Sequence, residues 1–403
     1  MIFIKIFVLL SLATLSISSY AGNENEYFWG VHQGGITNGE QTQTYFISFD
    51  MVSNNREDLI KLLQSWTLTA AEITNGPEKL NSHLSPDEPS LESGAAVGLS
   101  PKGLTITFGF GPSLFEKNGE DRYGIAKNRP EALVDLPRFP GDQLNIERTG
   151  GDISIQVSAN DPQFVEYAVR KFAKIANGVA EIKWAQTGFN GSFKKGDTPR
   201  NQMGFKDGTM NIDVTKPDLM NKFVWVGNEG PEWMRGGSYL VVRQIRISLA
   251  HWDDMKTSFQ EETIGREKVS GAPIGKKGEF DMLELEAADE QGNVITNENS
   301  HAAMAAPETN NGAQILRRAF SYDNGVAKIA ERWPPWKQLV TFDAGLFFEA
   351  FQRDPRTGFM KIFARMSQID MLNQFTTHVA GGIYACPPGV TKGQFIGQQL
   401  FIN

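Results

Sequence analysis

The stretch RNQMGFKDGTMNI (residues 200–212) follows Thr198-Pro199 and sets Asp207 between Gly204 and Gly208. Glycine admits positive φ and lets the chain lie close against a neighbour. A Gly-x-x-Asp-Gly turn therefore brings backbone and one carboxylate up to something flat or bulky. The same letters also spell an ordinary Asp-Gly turn in which Asp207 bonds its own backbone. The rest of the chain must separate the two readings.

Outward from this loop, three segments alternate apolar and other residues: Tyr45, Ile47 and Phe49; Leu104, Ile106, Phe108 and Phe110; Ile153, Ile155 and Val157. A period of two predicts half-buried strands. Asp161-Pro162 is a cap followed by proline at a first helical position, and Asn177-Gly178 is a stop. Between them Phe164, Tyr167, Ala168, Phe172 and Ile175 form an apolar face. Beyond the loop, SYLVVRQIRI (238–247) reads as a strand, 252–264 as a helix and GLFFEAF (345–351) as a strand. Phe359, Ile362, Phe363 and Met366 mark a further helix. Each half runs strand, helix, strands, helix. The expected fold is α+β: two ferredoxin-like domains, antiparallel sheets with peripheral helices. Their expected bounds are 22–212 and 213–403.

The 403 residues fit about two domains. A net charge of −8 and no basic stripe argue against a nucleic-acid partner. Residues 1–21 carry Lys5, an apolar run and Ser19-Tyr20-Ala21, as a cleaved secretory leader does, and the run is short for a membrane span. The expected location is periplasmic or secreted, with no span in the mature chain. With Cys386 as sole cysteine, no disulfide or thiol metal site forms within the chain. The five histidines show no i,i+4 pair, and FGFGPS lacks the remainder of a dinucleotide fingerprint. His32, His83 and His251 read as solvent-facing or locally bonded. His301 differs: small residues follow it, and Arg317-Arg318 come soon after. Alone, it also fits a surface-loop histidine.

GFKDGT (204–209), Ser300-His301, LRRAFSY (316–322), TFDAGLFFEAFQRD (341–354) and DMLNQFTTHVAGGIYACPPG (370–389) together resemble the dye-decolorizing peroxidase family. HQGGITNGEQTQTYFISFD (32–50), LTITFGFGPSLF (104–115) and DLPRFPGDQLN (135–145) extend the likeness to its secreted deferrochelatase/peroxidase branch. The resemblance implies one haem b per chain in the carboxyl-terminal domain. It implies His301 as the iron's axial ligand and Asp370 as the acceptor that fixes the imidazole. Asp207 is then the acid/base and Arg317 the stabilising cation, with Arg318 structural. Gly208, Thr209 and Met210 would lie against the macrocycle. Ala306, Pro307 and Glu308 would lie near a haem propionate, and relatives place a basic residue where this chain has Glu308. Either Glu308 turns away, or Arg266 or Lys268 meets the propionate.

The partners so implied are hydrogen peroxide and an organic reductant or dye, with Tyr322, Trp333 and Trp336 as candidate electron relays. Haem as a substrate for iron release in an uptake system is the alternative, a non-catalytic haem carrier a third reading, and a homodimer stays open. A carboxylate in place of histidine implies dye turnover on the acid side, at roughly pH 4–5.

Overall fold

Phe46, Ile47, Ser48 and Phe49 are all buried, so both faces of the first strand are covered. That strand belongs to one of two four-stranded antiparallel sheets in the computed structural model, which describes residues 28–402 except 39–40, 77–92, 102, 195 and 334–335, and no side chains over 330–340. The 1–21 leader and His83 lie outside those residues. The amino-terminal half runs β1 (Gln43–Met51), α1 (Arg56–Thr74), β2 (Thr105–Phe110), α2 (Pro112–Phe115), β3 (Ile153–Ala159), α3 (Pro162–Ala176), β4 (Ala180–Phe189). Its sheet order is β2-β3-β1-β4. The second half runs α4 (Pro217–Phe223), β5 (Ser238–Ile247), α5 (Leu249–Asp253), α6 (Thr257–Ile264), α7 (His301–Ala305), β6 (Leu316–Arg317), β7 (Phe320–Trp333), β8 (Trp336–Gln352), α8 (Phe359–Ile369), β9 (Thr376–Cys386). Its main strands lie in the order β7-β8-β5-β9. Each half thus has the ferredoxin-like pattern expected of it.

The sheets meet at both ends by single pairings, Phe110↔Ala385 and Phe189↔Ser321. Phe46 and Trp184 of the first pack against Leu240, Val242, Phe347 and Tyr384 of the second. On the far side of the first sheet, Ile47, Phe49 and Ile155 join Leu59, Trp66, Phe164 and Phe172 from α1 and α3.

This layering corrects one expectation. β2 and β3 are buried at every position rather than on one face. Their polar residues alternate inward, where partners wait: Thr44 meets Ser158, and Gln156 donates to Glu349 of β8. A buried polar group is tolerated when it is bonded in this way. The expected helix over 252–264 is two helices instead. Lys256 is extended (φ −60°, ψ 141°), and the Gln260 amide takes the Trp252 carbonyl at 2.7 Å. α3 stands where its signals put it, with the Asp161 side chain accepting from the Phe164 amide. Outside the sheets, β7 and β8 continue as a ribbon, from Val326↔Phe342 to Trp333↔Trp336, that pairs with no other strand among the described residues.

Candidate active site

Asp207 is set by its own loop. Its amide donates to the Pro199 carbonyl at 2.8 Å, and the Asn201 amide donates to Phe205 O at 3.0 Å. The Arg200 guanidinium donates to the carbonyls of Gly204, Lys268 and Val269 at 2.8, 2.6 and 2.7 Å. Gly208 has φ +126°, while a Cβ there would come no nearer than 3.6 Å to Thr198. Backbone conformation, not crowding by protein, demands glycine at that point. Met210 also takes positive φ, +60°, and is half exposed.

Arg317 comes from β6. Asn211 fastens the loop to it by pairing with its backbone: the Arg317 amide donates to Asn211 Oδ1 (3.0 Å), and Asn211 Nδ2 donates to Arg317 O (2.8 Å). The Arg317 guanidinium then donates to Asp207 Oδ1 at 3.4 Å and to Thr209 O at 3.1 Å. Both side chains stay partly open, Arg317 at 31% and Asp207 at 22%. A cavity of ≈ 250 Å³, lined by Asn190, Asp207, Gly208, Arg317 and Arg318, reaches this pair, and His301 is not in its lining. Arg318 donates to Asn38 O and Gln41 Oε1, tying the two halves together.

His301 opens α7. Gly265, at φ +82°, ends α6, and a Cβ there would come within 2.6 Å of Ser300 Oγ. Only glycine lets the two helix ends close so tightly. The imidazole Nδ1 lies 2.7 Å from Asp370 Oδ2, and the other Asp370 oxygen caps the following turn by accepting from Leu372 N at 2.8 Å. A carboxylate only accepts, so Nδ1 carries a proton and Nε2 is the nitrogen left to face a ligand. Burial pushes this imidazole's pKa down, but the Asp370 charge and hydrogen bond carry it above the ordinary value; Arg317 opposes and Asp207 assists. The ring therefore lies within electrostatic reach of the Asp207–Arg317 pair. Asp370 is only 2% exposed, whereas the His301 side chain is 37% exposed, so one side of its ring is open.

These residues fit a haem. An imidazole with one nitrogen held by carboxylate and the other free is the donor that haem iron takes. Burial lowers the Arg266 pKa; Glu279 opposes that, and Arg317 lowers it further. The repulsion of the Arg317 charge on Arg266 is what an anion such as a propionate would relieve. Of the alternatives from sequence, Glu308 is exposed. Lys268 is taken by Gln260 Oε1 at 2.7 Å, and Arg266 stands near Arg317. Ala306 is buried and Pro307 half-buried at the end of α7. Among the described residues no three metal-ligating side chains cluster, and no helix is long and apolar enough to cross a membrane.

Some expectations shift. Tyr322 is fully buried, its hydroxyl 3.4 Å from Asp343 Oδ1. The side chains of Trp333 and Trp336 lie outside the described residues. His32 is neither solvent-facing nor locally bonded: its Nδ1 lies 2.6 Å from Gly236 O, 204 positions on, and its ring stacks on Trp225. Glu279, Lys206, Thr198 and Asn211 were not singled out from sequence, although they fix the Asp207 loop. Their partners lie far off in the chain, and no local spacing announces them.

A two-unit ferredoxin-like protein with an acid–arginine pair near a carboxylate-bound histidine is, by fold and site, a haem-peroxidase type of molecule. The Dyp-type peroxidase N-terminal family model matches residues 33–190, and the C-terminal model matches 198–391. The chain belongs to the Dyp-type peroxidase family, an oxidoreductase family whose cofactor is haem b. It is 33% identical over 398 residues to the deferrochelatase of Shigella flexneri serotype 5b, covering 96% of this chain and 90% of that one. It is 34% identical to that of Escherichia coli K12, covering 93% and 86%. Among solved structures, an oxyferrous complex of DtpA from Streptomyces lividans matches with TM-score 0.84 and 34% identity, over 94% of this chain and 98% of that one. A DyP-type peroxidase from Cellulomonas bogoriensis gives 0.80 and 32%, over 94% and 100%.

Proposed function

We propose that the chain reduces hydrogen peroxide with a haem b held by His301 Nε2, and oxidises organic donors in one-electron steps. Asp207 moves the peroxide proton and Arg317 steadies developing charge. Haem, when bound, would supply the redox chemistry that lets a two-electron oxidant be spent on donors one electron at a time. Asp370 holds the His301 proton on Nδ1 and so keeps Nε2 directed at its ligand. Asp207, fixed by its backbone, accepts a proton from one peroxide oxygen and returns it to the other, as general acid–base catalysis requires. Arg317 offers a fixed cation to the oxygen that departs. Arg266 and Arg317 would hold a propionate, and Gly208, Thr209 and Met210 would hold the haem beside Asp207. The observation that carries this reading is the 3.4 Å contact between Arg317 and Asp207, both partly open and both at the mouth of one cavity.

A pure haem carrier needs no such pair. One finding favours a second activity: relatives 33–34% identical over most of this chain bear the name deferrochelatase. Iron release that leaves the porphyrin intact is therefore the competing reaction, and metal-free porphyrin in chromatograms of a haem incubation would reveal it. Export by a cleaved leader over 1–21 to the periplasm or beyond is part of the proposal, on its apolar run alone. So is a division of the chain at residue 212.

The test is direct. His301→Ala should fold yet lose the Soret band of bound haem. Asp207→Asn should keep haem while its stopped-flow reaction with peroxide slows ~10²–10⁴-fold. Arg317→Leu should slow it ~10²–10³-fold. Unchanged haem coordination in the first variant removes the ligand assignment. Wild-type rates in the other two remove the roles of the pair.

A further inference from the structure

Glu279 belongs to the long connection between α6 and α7, and its side chain is only 10% exposed. Every bond of its carboxylate goes to the loop that carries Asp207. Oε1 accepts from the hydroxyls of Thr198 and Thr209, the latter at 2.9 Å, and Oε2 accepts from Lys206 Nζ. Those partners precede Asp207 by nine and one residues and follow it by two. One carboxylate thus gathers both arms of the loop and its tip. The stem of Lys206 runs against Gly271, where a Cβ would meet its Cδ at 2.7 Å, so the lysine is packed as well as paired. The Glu279 carbonyl in turn accepts from Arg266 Nη1 at 2.9 Å, and Arg266 stands near Arg317.

We propose that Glu279 is a positioning residue for the peroxide reaction: its carboxylate clamps the 198–211 loop at three points and holds Asp207 in register with Arg317. The proposal rests on the proton-transfer role given to Asp207 above. Charge-assisted hydrogen bonds are the strong ones, and three converging on one largely buried group add side-chain anchors to a loop whose backbone bonds hold Asp207 only from the Pro199 side. Burial works to raise the Glu279 pKa, but the bonds from Lys206, Thr198 and Thr209 and the Lys206 charge hold it below the usual glutamate value. The clamp therefore stays charged wherever the protein is folded and near neutral. Glutamine at this position has the same shape but only one acceptor oxygen, so it must turn an amide donor toward either the lysine or the hydroxyls.

Hydrogen exchange of the haem-free protein, followed by mass spectrometry, tests the clamp apart from any activity. Glu279→Gln should speed exchange in peptides spanning 198–211 and leave distant strands unchanged. In the haem-loaded enzyme it should slow the stopped-flow peroxide reaction about 10- to 100-fold, the scale of an ångström-sized misplacement. In an Asp207→Asn background it should have no further effect, because a group acting only through Asp207 is silent once that carboxylate is gone. Thr198→Val, which removes one donor and introduces no charge, should give smaller changes in the same direction; it keeps the question answerable if Glu279→Gln folds poorly. Unchanged loop exchange in both variants overturns the clamp. A full, additive loss in the Asp207→Asn background overturns its link to proton transfer. If Asp207→Asn itself reacts like wild type, the role of Asp207 fails, and the exchange data alone decide the clamp.

Discussion

Asp370 shows how much one side chain can settle. One of its oxygens caps a turn and the other accepts the hydrogen bond from His301 Nδ1, so the acceptor is itself immobile. Asp370→Asn keeps an acceptor but loses the charge that makes the imidazole a strong donor. Haem titration of that variant should show affinity lower by about 10- to 100-fold, with the Soret band still formed. An unchanged affinity would mean that the neighbour merely fills space. At this scale the sequence was informative for His301, Asp370, Asp207 and Arg317, because each sits in a short motif whose letters resemble a family. It was silent on Glu279 and Asn211, whose importance lies in contacts across 70 to 106 positions.

Strands and helices carry a second set of consequences. Glu349 of β8 faces Gln156 of β3 between the sheets; burial drives its pKa well above the usual value, against the opposing charge of Arg318. The native state therefore keeps this proton at pH values where the unfolded chain has lost it. The stability it lends is full below about pH 4.3, the unfolded value, and drains away as pH rises toward the native one, at about 1.4 kcal/mol per unit. Glu349→Gln mimics the protonated acid permanently. Its melting temperature should exceed wild type by a margin that widens from pH 5 to pH 8.

His378 of β9 behaves oppositely, since burial and then Arg243 hold its pKa well below the usual value. Its native form stays neutral, and stability falls as pH drops below about 6.5, where the unfolded chain takes up the proton. His378→Gln should flatten that acid-side loss. Neither group was legible beforehand: alternating strands read as half-buried, and the second sheet that covers them is invisible to a local period. α3 was legible to the residue because a cap, a proline and a glycine bracket it. The break between α5 and α6 was not, since the Gln260 side chain and not a breaker residue ends the first helix.

Across the whole molecule, the two sheets have to approach closely enough to pair at both ends. Gly109 of β2 makes one of these approaches possible: a Cβ there would stand 2.7 Å from both Ser154 Oγ and Tyr384 Cβ. Gly109→Val should cost roughly 1–3 kcal/mol through overpacking, read as a lower midpoint in urea with the same slope. A midpoint equal to wild type would show that the sheets can part there without penalty. Repetition of the strand–helix order pointed to two similar halves, but the single strand pairings and the shared core by which they close on one another are encoded in no local pattern of letters.

Among the described residues no third strand pairs with the β7–β8 ribbon beyond Val326 and Phe342, and Lys328, Arg332 and Lys337 lie along it. Segments held by so few contacts open locally at little cost, and opened backbone is what a protease grips. Brief trypsin treatment should cut within the ribbon and yield two pieces on a denaturing gel. The bases of both strands are gripped elsewhere, β7 by β4 at Ser321 and β8 by β5 along eight residue pairs. The nicked molecule should therefore elute as one species with its haem still bound: a covalent chain in two parts, a folded protein in one. Pieces that separate without denaturant would show that the ribbon bears tension for the rest.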